Sequence, residues 1–333
     1  MSYDTEYAYA VARIQVIENK LLNKDSLYRM VDARTIDEAV KMLQESGYSF
    51  KSSSNNDPYE IEESLKLEYK RLYDLMAEIA PEPEVFKIFR LKNDYHNLKV
   101  IIKSEYKGYA QDELLLDTST IPYSELKLMV RDRKLDDMSE EMRNAVLDCV
   151  ETFNKTSDPQ VIDLILDRAA AIEAINIARA SKKRFIIELN KIIIDLTNIS
   201  SFLRVRLMGK TGDFLGNVLL PGGKVNQDLL LENLEKGING LMEVLASTEY
   251  EKLLISSAES YEKGIMSTYE KLSDNYILDF VKKHKYSVFD VEPLVGYLFA
   301  KENEIRNVRI IMTGKINNIP GEIIKERLRE TYV

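Results

Sequence analysis

Apolar residues recur at three- and four-residue steps along most of this chain, and one such segment appears three times. Ile88, Leu91, Tyr95, Leu98 and Ile102 are followed 105 residues later by Ile193, Leu196, Ser200, Leu203 and Leu207. After a further 105 residues come Leu298, Lys301, Ile305, Val308 and Met312, with no gap in either step. These spacings draw a stripe down one side of an α-helix. Each copy carries an asparagine at one register (Asn93, Asn198, Asn303) and a basic residue after the fourth stripe position (Lys99, Arg204, Arg309). Three ungapped copies predict an internal triplication, with units at 1–107, 108–212 and 213–333. Each asparagine lies roughly 140–200° from the stripe at about 100° per residue. Two readings follow: the asparagines hydrogen-bond neighbouring helices, or three equivalent polar faces line a shared central surface.

The repeat extends beyond that helix. Residues 23–48 read as helix-turn-helix, with an echo at 226–250 in which Ile36, Val40, Leu43 and Tyr48 match Ile238, Met242, Leu245 and Tyr250 after one deletion. A weaker copy begins at Ser124. Tyr3 to Leu21 predicts a first helix, and a further helix is expected over Val161–Ala180 after Asp158-Pro159. Residues 52–58 are a polar loop. Breaker-rich connectors run from Gly108 to Pro122 and from Gly209 to Gly223, each with room for a short extended stretch such as Leu114–Leu116 or Val218–Leu220. The expected fold class is all-α, three similar helical domains.

Composition narrows the function. A hydrophobic content of 45% with 30% charged residues fits a folded globular chain. Net charge −9 opposes a general nucleic-acid binder, whose phosphate-neutralising contacts would work against the field of the whole molecule. The basic exception runs from Arg179 to Lys210 and includes Lys182, Lys183 and Arg184. It reads either as a solvated helix face or as a contact for acidic protein or lipid headgroups. The single cysteine, Cys149, excludes an intrachain disulfide. No run reaches the ~20 apolar residues needed to span a bilayer, and the N-terminus lacks a signal-peptide pattern.

Candidate chemistry is sparse. Gly209-Lys210-Thr211 resembles the end of a phosphate-binding loop, but position 204 is Arg where the motif needs Gly, so the Gly-Lys pair reads as a helix stop, as does Gly314-Lys315. His96 and His284 form no i, i+4 pair, and Asp136, Asp137, Glu140 and Glu141 read as solvated helix surface. No cofactor, metal site or catalytic residue is expected.

The stretches YAYAVARIQVIENKLLNKDSLYRMVDARTIDEAVKMLQESGY, LKNDYHNLKVIIKSEY and ENEIRNVRIIMTGKINNIPGEIIKERLRETYV resemble the C subunit of the bacterial and archaeal V-type (A-type) ATPases, the counterpart of the d subunit in eukaryotic vacuolar ATPases. The resemblance covers essentially the full length. It implies a non-catalytic rotor subunit: a funnel of three helical domains on the cytoplasmic face of the membrane, seated on the proteolipid rotor ring and receiving central-stalk subunits of the D and F type. On that basis Asn93, Asn198 and Asn303 are expected to line the socket, and Lys99, Arg204 and Arg309 to be framework or rim cations. A generic helical-repeat scaffold is the alternative.

Overall fold

The computed structural model describes residues 3–50, 58–287 and 289–333, with side chains described from Tyr7 onward. The polar loop expected at 52–58 therefore lies almost wholly outside the described residues. Among the described residues all regular structure is helical. In chain order the helices are α1 (Tyr3–Glu18), α2 (Lys24–Asp32), α3 (Ile36–Glu45), α4 (Pro58–Ile79), α5 (Pro83–Lys107), α6 (Tyr123–Asp132), α7 (Glu140–Thr156) and α8 (Gln160–Ala180). They continue with α9 (Arg184–Leu207), α10 (Gly212–Val218), α11 (Gln227–Glu232), α12 (Gly237–Leu245), α13 (Glu251–Glu262), α14 (Ser267–Lys282), α15 (Glu292–Ile316) and α16 (Gly321–Arg327).

Local chemistry sets the boundaries. Asn23 Oδ1 accepts from Ser26 N at 2.9 Å, Thr35 Oγ1 from Glu38 N at 3.2 Å and Ser139 Oγ from Met142 N at 3.2 Å. Each cap satisfies a donor that the first helical turn leaves free. Glu38 also reaches back to Arg34 N at 2.8 Å, in the manner of a capping box. Gly209, at φ 61°, ends α9: its N–H bonds Arg206 O and that of Lys210 bonds Val205 O, both at 3.1 Å, the paired bonds of a left-handed helix stop. Gly314 differs from the expected stop. It lies inside α15, where a Cβ would meet Ile324 Cδ1 at 2.6 Å, and the reversal comes later at Asn318, φ 53°. Lys315 instead donates to Val31 O and Ala33 O, capping the end of α2 from outside.

The contacts divide the chain into two compact units. The first, 1–83 with 259–333, is built around α15, which touches α1, α2, α3, α4, α14 and α16. Of its 25 residues 16 are buried, so it is a core helix enclosed on most sides rather than an amphipathic surface helix. Ile305, Val308, Ile311 and Met312 pack with Leu27, Met30 and Leu43. The second unit, 84–258, holds α5 and α9, which are buried in the same way, and α8 packs on both α7 and α9. Its core joins Tyr95, Leu98 and Ile102 to Leu126, Val130, Val146 and Cys149.

Candidate functional site

The three asparagines singled out by the 105-residue period lie on the three long helices, and all three are buried. Their side chains do not line an open surface; they bind the chain's own connectors. Asn93 Nδ2 donates to Thr118 Oγ1 at 2.9 Å, Asn198 Nδ2 to Leu220 O at 2.8 Å and Asn303 Nδ2 to Glu330 O at 2.7 Å. The partners lie in non-helical segments that follow each long helix, not in the neighbouring helices that the sequence reading named.

Their equivalence also shifts. Asn198 exchanges two bonds with one backbone residue, Nδ2 to Leu220 O and Leu220 N to Oδ1, each at 2.8 Å. The residues that do the same elsewhere are Asn97 with Leu116, at 2.9 and 2.8 Å, and Asn307 with Arg329, at 3.1 and 2.8 Å. The clamped residue lies 19, 22 and 22 positions beyond its asparagine. Of the extended stretches expected at Leu114–Leu116 and Val218–Leu220, Leu115 and Leu219 are extended, whereas Leu114 and Val218 end a 3-10 turn and α10.

Three residues before each clamp asparagine, on the same helical face, stands a buried acid. Asp94 Oδ1 accepts from Thr120 N and Ile121 N at 2.8 and 3.0 Å. Asp195 accepts from Lys224 N and Val225 N, both at 3.0 Å, and from the Tyr250 hydroxyl at 2.9 Å. Glu304 accepts from Leu22 N and from the Tyr48 hydroxyl. Ile121, Val225 and Leu22 each stand two residues before a short helix (α6, α11, α2), and Leu126, Leu230 and Leu27 in those helices are buried. The Tyr48 and Tyr250 match of the sequence echo thus reappears as one shared bond to an acid. The spacing acid-x-x-Asn is present in the sequence but does not fall at a constant 105.

These acids and phenols hold backbone amides and one another. Burial, reinforced by Glu304, raises the Tyr48 phenol, and burial with Glu173 raises that of Tyr95, so both stay protonated donors at neutral pH. Burial also pushes Asp94 up to about 6, against the opposing donors Ile121 and Thr120 and the Arg90 charge. Cys149 is pushed up to about 12 by burial, which leaves it a thiol and not a nucleophile. His96 Nε2 and His284 Nδ1 each face a backbone carbonyl, of Leu114 and Phe280. Among the described residues no three His, Cys, Asp or Glu gather as metal ligands.

The expected cations take separate partners. Lys99 pairs with Asp167 at 2.5 Å and Arg309 with Glu62 through Nε and Nη2 at 3.0 and 2.8 Å; Arg204 is exposed. The basic stretch 179–210 is divided in space. Arg179, Lys182, Lys183 and Arg184 gather at the turn into α9, while Arg204, Arg206 and Lys210 lie at its far end, about 36 Å away for a 24-residue helix. Lys182 and Arg184 are exposed, Lys182 at φ 56°, and the first turn of α9 contains no acidic residue. Among the described residues no helix is long and apolar enough to cross a membrane.

The model of the ATP synthase (C/AC39) subunit family matches residues 10–327. The chain belongs to that family. Relatives include the C subunit of the V-type sodium ATPase of Enterococcus hirae, 28% identical over 95% of both chains. The C subunit of the A-type ATP synthase of Methanocaldococcus jannaschii is 26% identical over 97% of this chain and 86% of its own. That of Pyrococcus furiosus is 25% identical over 98% and 91%. Membership of the C/AC39 family places the chain among subunits of rotary ATPases.

Proposed function

We propose that this chain is a non-catalytic subunit of the central rotor of a V-type or A-type ATPase, joining central-stalk subunits of the D and F type to the proteolipid ring of the membrane sector. It is held at the cytoplasmic face through that ring, and it passes torque for ATP-coupled proton or sodium transport. Three similar helical units in a funnel-like arrangement belong to the same reading, each unit being a long helix, its clamped connector and a short helix. The recurring acid-x-x-Asn clamps support it.

The observation that carries the partner side of the proposal is the charge at the start of α9. A helix N-terminus carries about half a positive charge, which favours carboxylates and disfavours cations by about 0.3–1 kcal/mol each. Here Lys182, Lys183 and Arg184 occupy that position with no acid in the first turn. Such a placement lowers the stability of the chain alone and suits an acidic partner, in keeping with a surface that meets the stalk, the ring or their headgroups.

The test is co-purification: the tagged chain, mixed with stalk subunits and with detergent-solubilised ring, is expected to retain both at low salt and to lose them as salt screens the contact over roughly 8 Å at physiological ionic strength. Retention of neither returns the chain to a general helical scaffold.

A further inference from the structure

Each clamp has three parts: a long helix bearing the acid and the asparagine, an extended segment held by the asparagine, and a short helix whose leading amide the acid accepts. In two clamps the parts follow one another along the chain. Leu116 and Leu220 are each five residues ahead of Ile121 and Val225, so the held segment reaches its helix through one short turn of continuous chain. In the third, the extended segment is Leu328–Val333, after α15 and α16, while the amide bound by Glu304 belongs to Leu22, more than 300 residues earlier. This segment and its short helix are brought together by docking, not by continuity.

The docking is built from side chains of two helices. Besides Asn303 and Asn307 on α15, α14 supplies Asn275, whose Oδ1 accepts from Glu330 N at 2.9 Å, and Lys282, which donates to Thr331 O at 2.9 Å. Asp274 takes Arg329 Nε at 3.0 Å. Leu328 and Tyr332, four residues apart, are buried, while Glu330 and Val333 are exposed. Gly296 makes the place for Tyr332: a Cβ there would stand 2.8 Å from the phenol oxygen. Backbone recognition by three asparagines, one carboxylate for an arginine and one notch for an aromatic ring amount to a peptide-binding groove.

We infer that α14 and α15 form a binding site for an extended peptide of the pattern Leu-Arg-x-x-Tyr, that this chain's own Leu328–Val333 occupies it as a detachable strap, and that the strap leaves and rebinds without unfolding of the first unit. Main-chain bonds supply the hold, as in strand-addition recognition, with a helix face bearing asparagines in place of the sheet edge, and the buried Leu328 and Tyr332 with the paired Arg329 supply the selectivity. The inference rests on the geometry of the first unit alone and is independent of the rotor reading.

The experiment uses the chain ending at Arg327 and a synthetic peptide of residues 328–333. Calorimetry is expected to give saturable one-to-one binding, with recovery of the full chain's melting temperature at saturation. Asn307→Ala in the shortened chain, or Tyr332→Ala in the peptide, is expected to weaken binding by about tenfold or more, the factor that ~1.4 kcal/mol represents. A folded shortened chain that takes up no peptide overturns the inference. Should the shortened chain not fold, hydrogen exchange in the full chain decides. Arg329 and Glu330 amides exchanging through an opening that leaves α15 protected support a detachable strap. Exchange of those amides only in step with α15 overturns it.

Discussion

Asn307 and Arg329 exchange two hydrogen bonds, Nδ2 to the backbone carbonyl at 3.1 Å and backbone N–H to Oδ1 at 2.8 Å. An asparagine side chain carries a donor and an acceptor in the spacing of a peptide group, so it serves as a one-residue strand for a segment with no strand beside it. The long helix cannot offer its own backbone, which is used internally. A side-chain amide is the group that fills the gap, and it recurs at Asn97 and Asn198.

Removing a clamp leaves the backbone N–H of the held residue without its acceptor, while the carbonyl keeps a second donor, Gln227 Nε2 at Leu220 and Ser119 Oγ at Leu116. Asn198→Ala and Asn97→Ala are therefore expected to destabilise the second unit by about 1–3 kcal/mol, the cost of an unsatisfied buried group. Asn93→Ala loses bonds to Thr118 but leaves the Leu116 clamp in place, and it should cost less than Asn97→Ala. Denaturant unfolding of the variants measures this ordering; Asn93→Ala matching or exceeding Asn97→Ala would contradict the assigned register.

Much of this fold is legible in the sequence. The three long helices and the helix-turn-helix at 23–48 with its echo ending at Tyr250 follow from apolar spacing and breakers. The register of the repeat does not. A helix slipped by four residues keeps nearly the same apolar stripe, since one turn is 3.6 residues. Asn198 aligns with Asn93 and Asn303 by count but with Asn97 and Asn307 by role, and only the partner 19 or 22 residues onward separates the two. The basic stretch misleads for a related reason: Arg184 and Arg206 are near in sequence yet sit at opposite ends of one long helix.

Asp94 gives the second unit a pH dependence. Its pKa is raised from an ordinary carboxyl value to about 6, chiefly by burial. The folded form therefore holds its proton more tightly than the unfolded one, and this contribution is fully present below about pH 4 and lost as pH rises through 6. Relative to Asp94→Asn, wild type should lose stability between pH 4 and 7, by up to about 3 kcal/mol. Unfolding free energies of both proteins across that range test it, with an unchanged difference refuting it. An NMR titration of the Asp94 carboxyl should show a midpoint near 6 in the folded chain.

Gly223 lets its segment approach Asp195. A Cβ there would lie 2.1 Å from Asp195 Oδ1, an oxygen fixed by the amide of Val225. Gly223→Ala is expected to cost about 1–3 kcal/mol, the usual penalty for overpacking. Gly212→Ala, at a position where nothing lies within 4 Å, should change stability by less than about 0.5 kcal/mol. Thermal melts of the pair measure the difference, and equal effects would contradict the close approach.

The most direct test of the central claim, that this chain couples stalk to ring without catalysing anything, is the ratio of ATP-driven ion transport to ATP hydrolysis in a reconstituted motor carrying Lys182→Glu, Lys183→Glu and Arg184→Glu together. Exposed charge pairs are individually worth under about 1 kcal/mol, so single reversals are expected to be silent and the triple change to show. A thermal melt of the isolated variant separates lost assembly from lost folding. The account predicts that transport falls while hydrolysis by the soluble head persists, with a stronger salt dependence in wild type than in the variant. An unchanged ratio and unchanged salt sensitivity in the folded variant would contradict it.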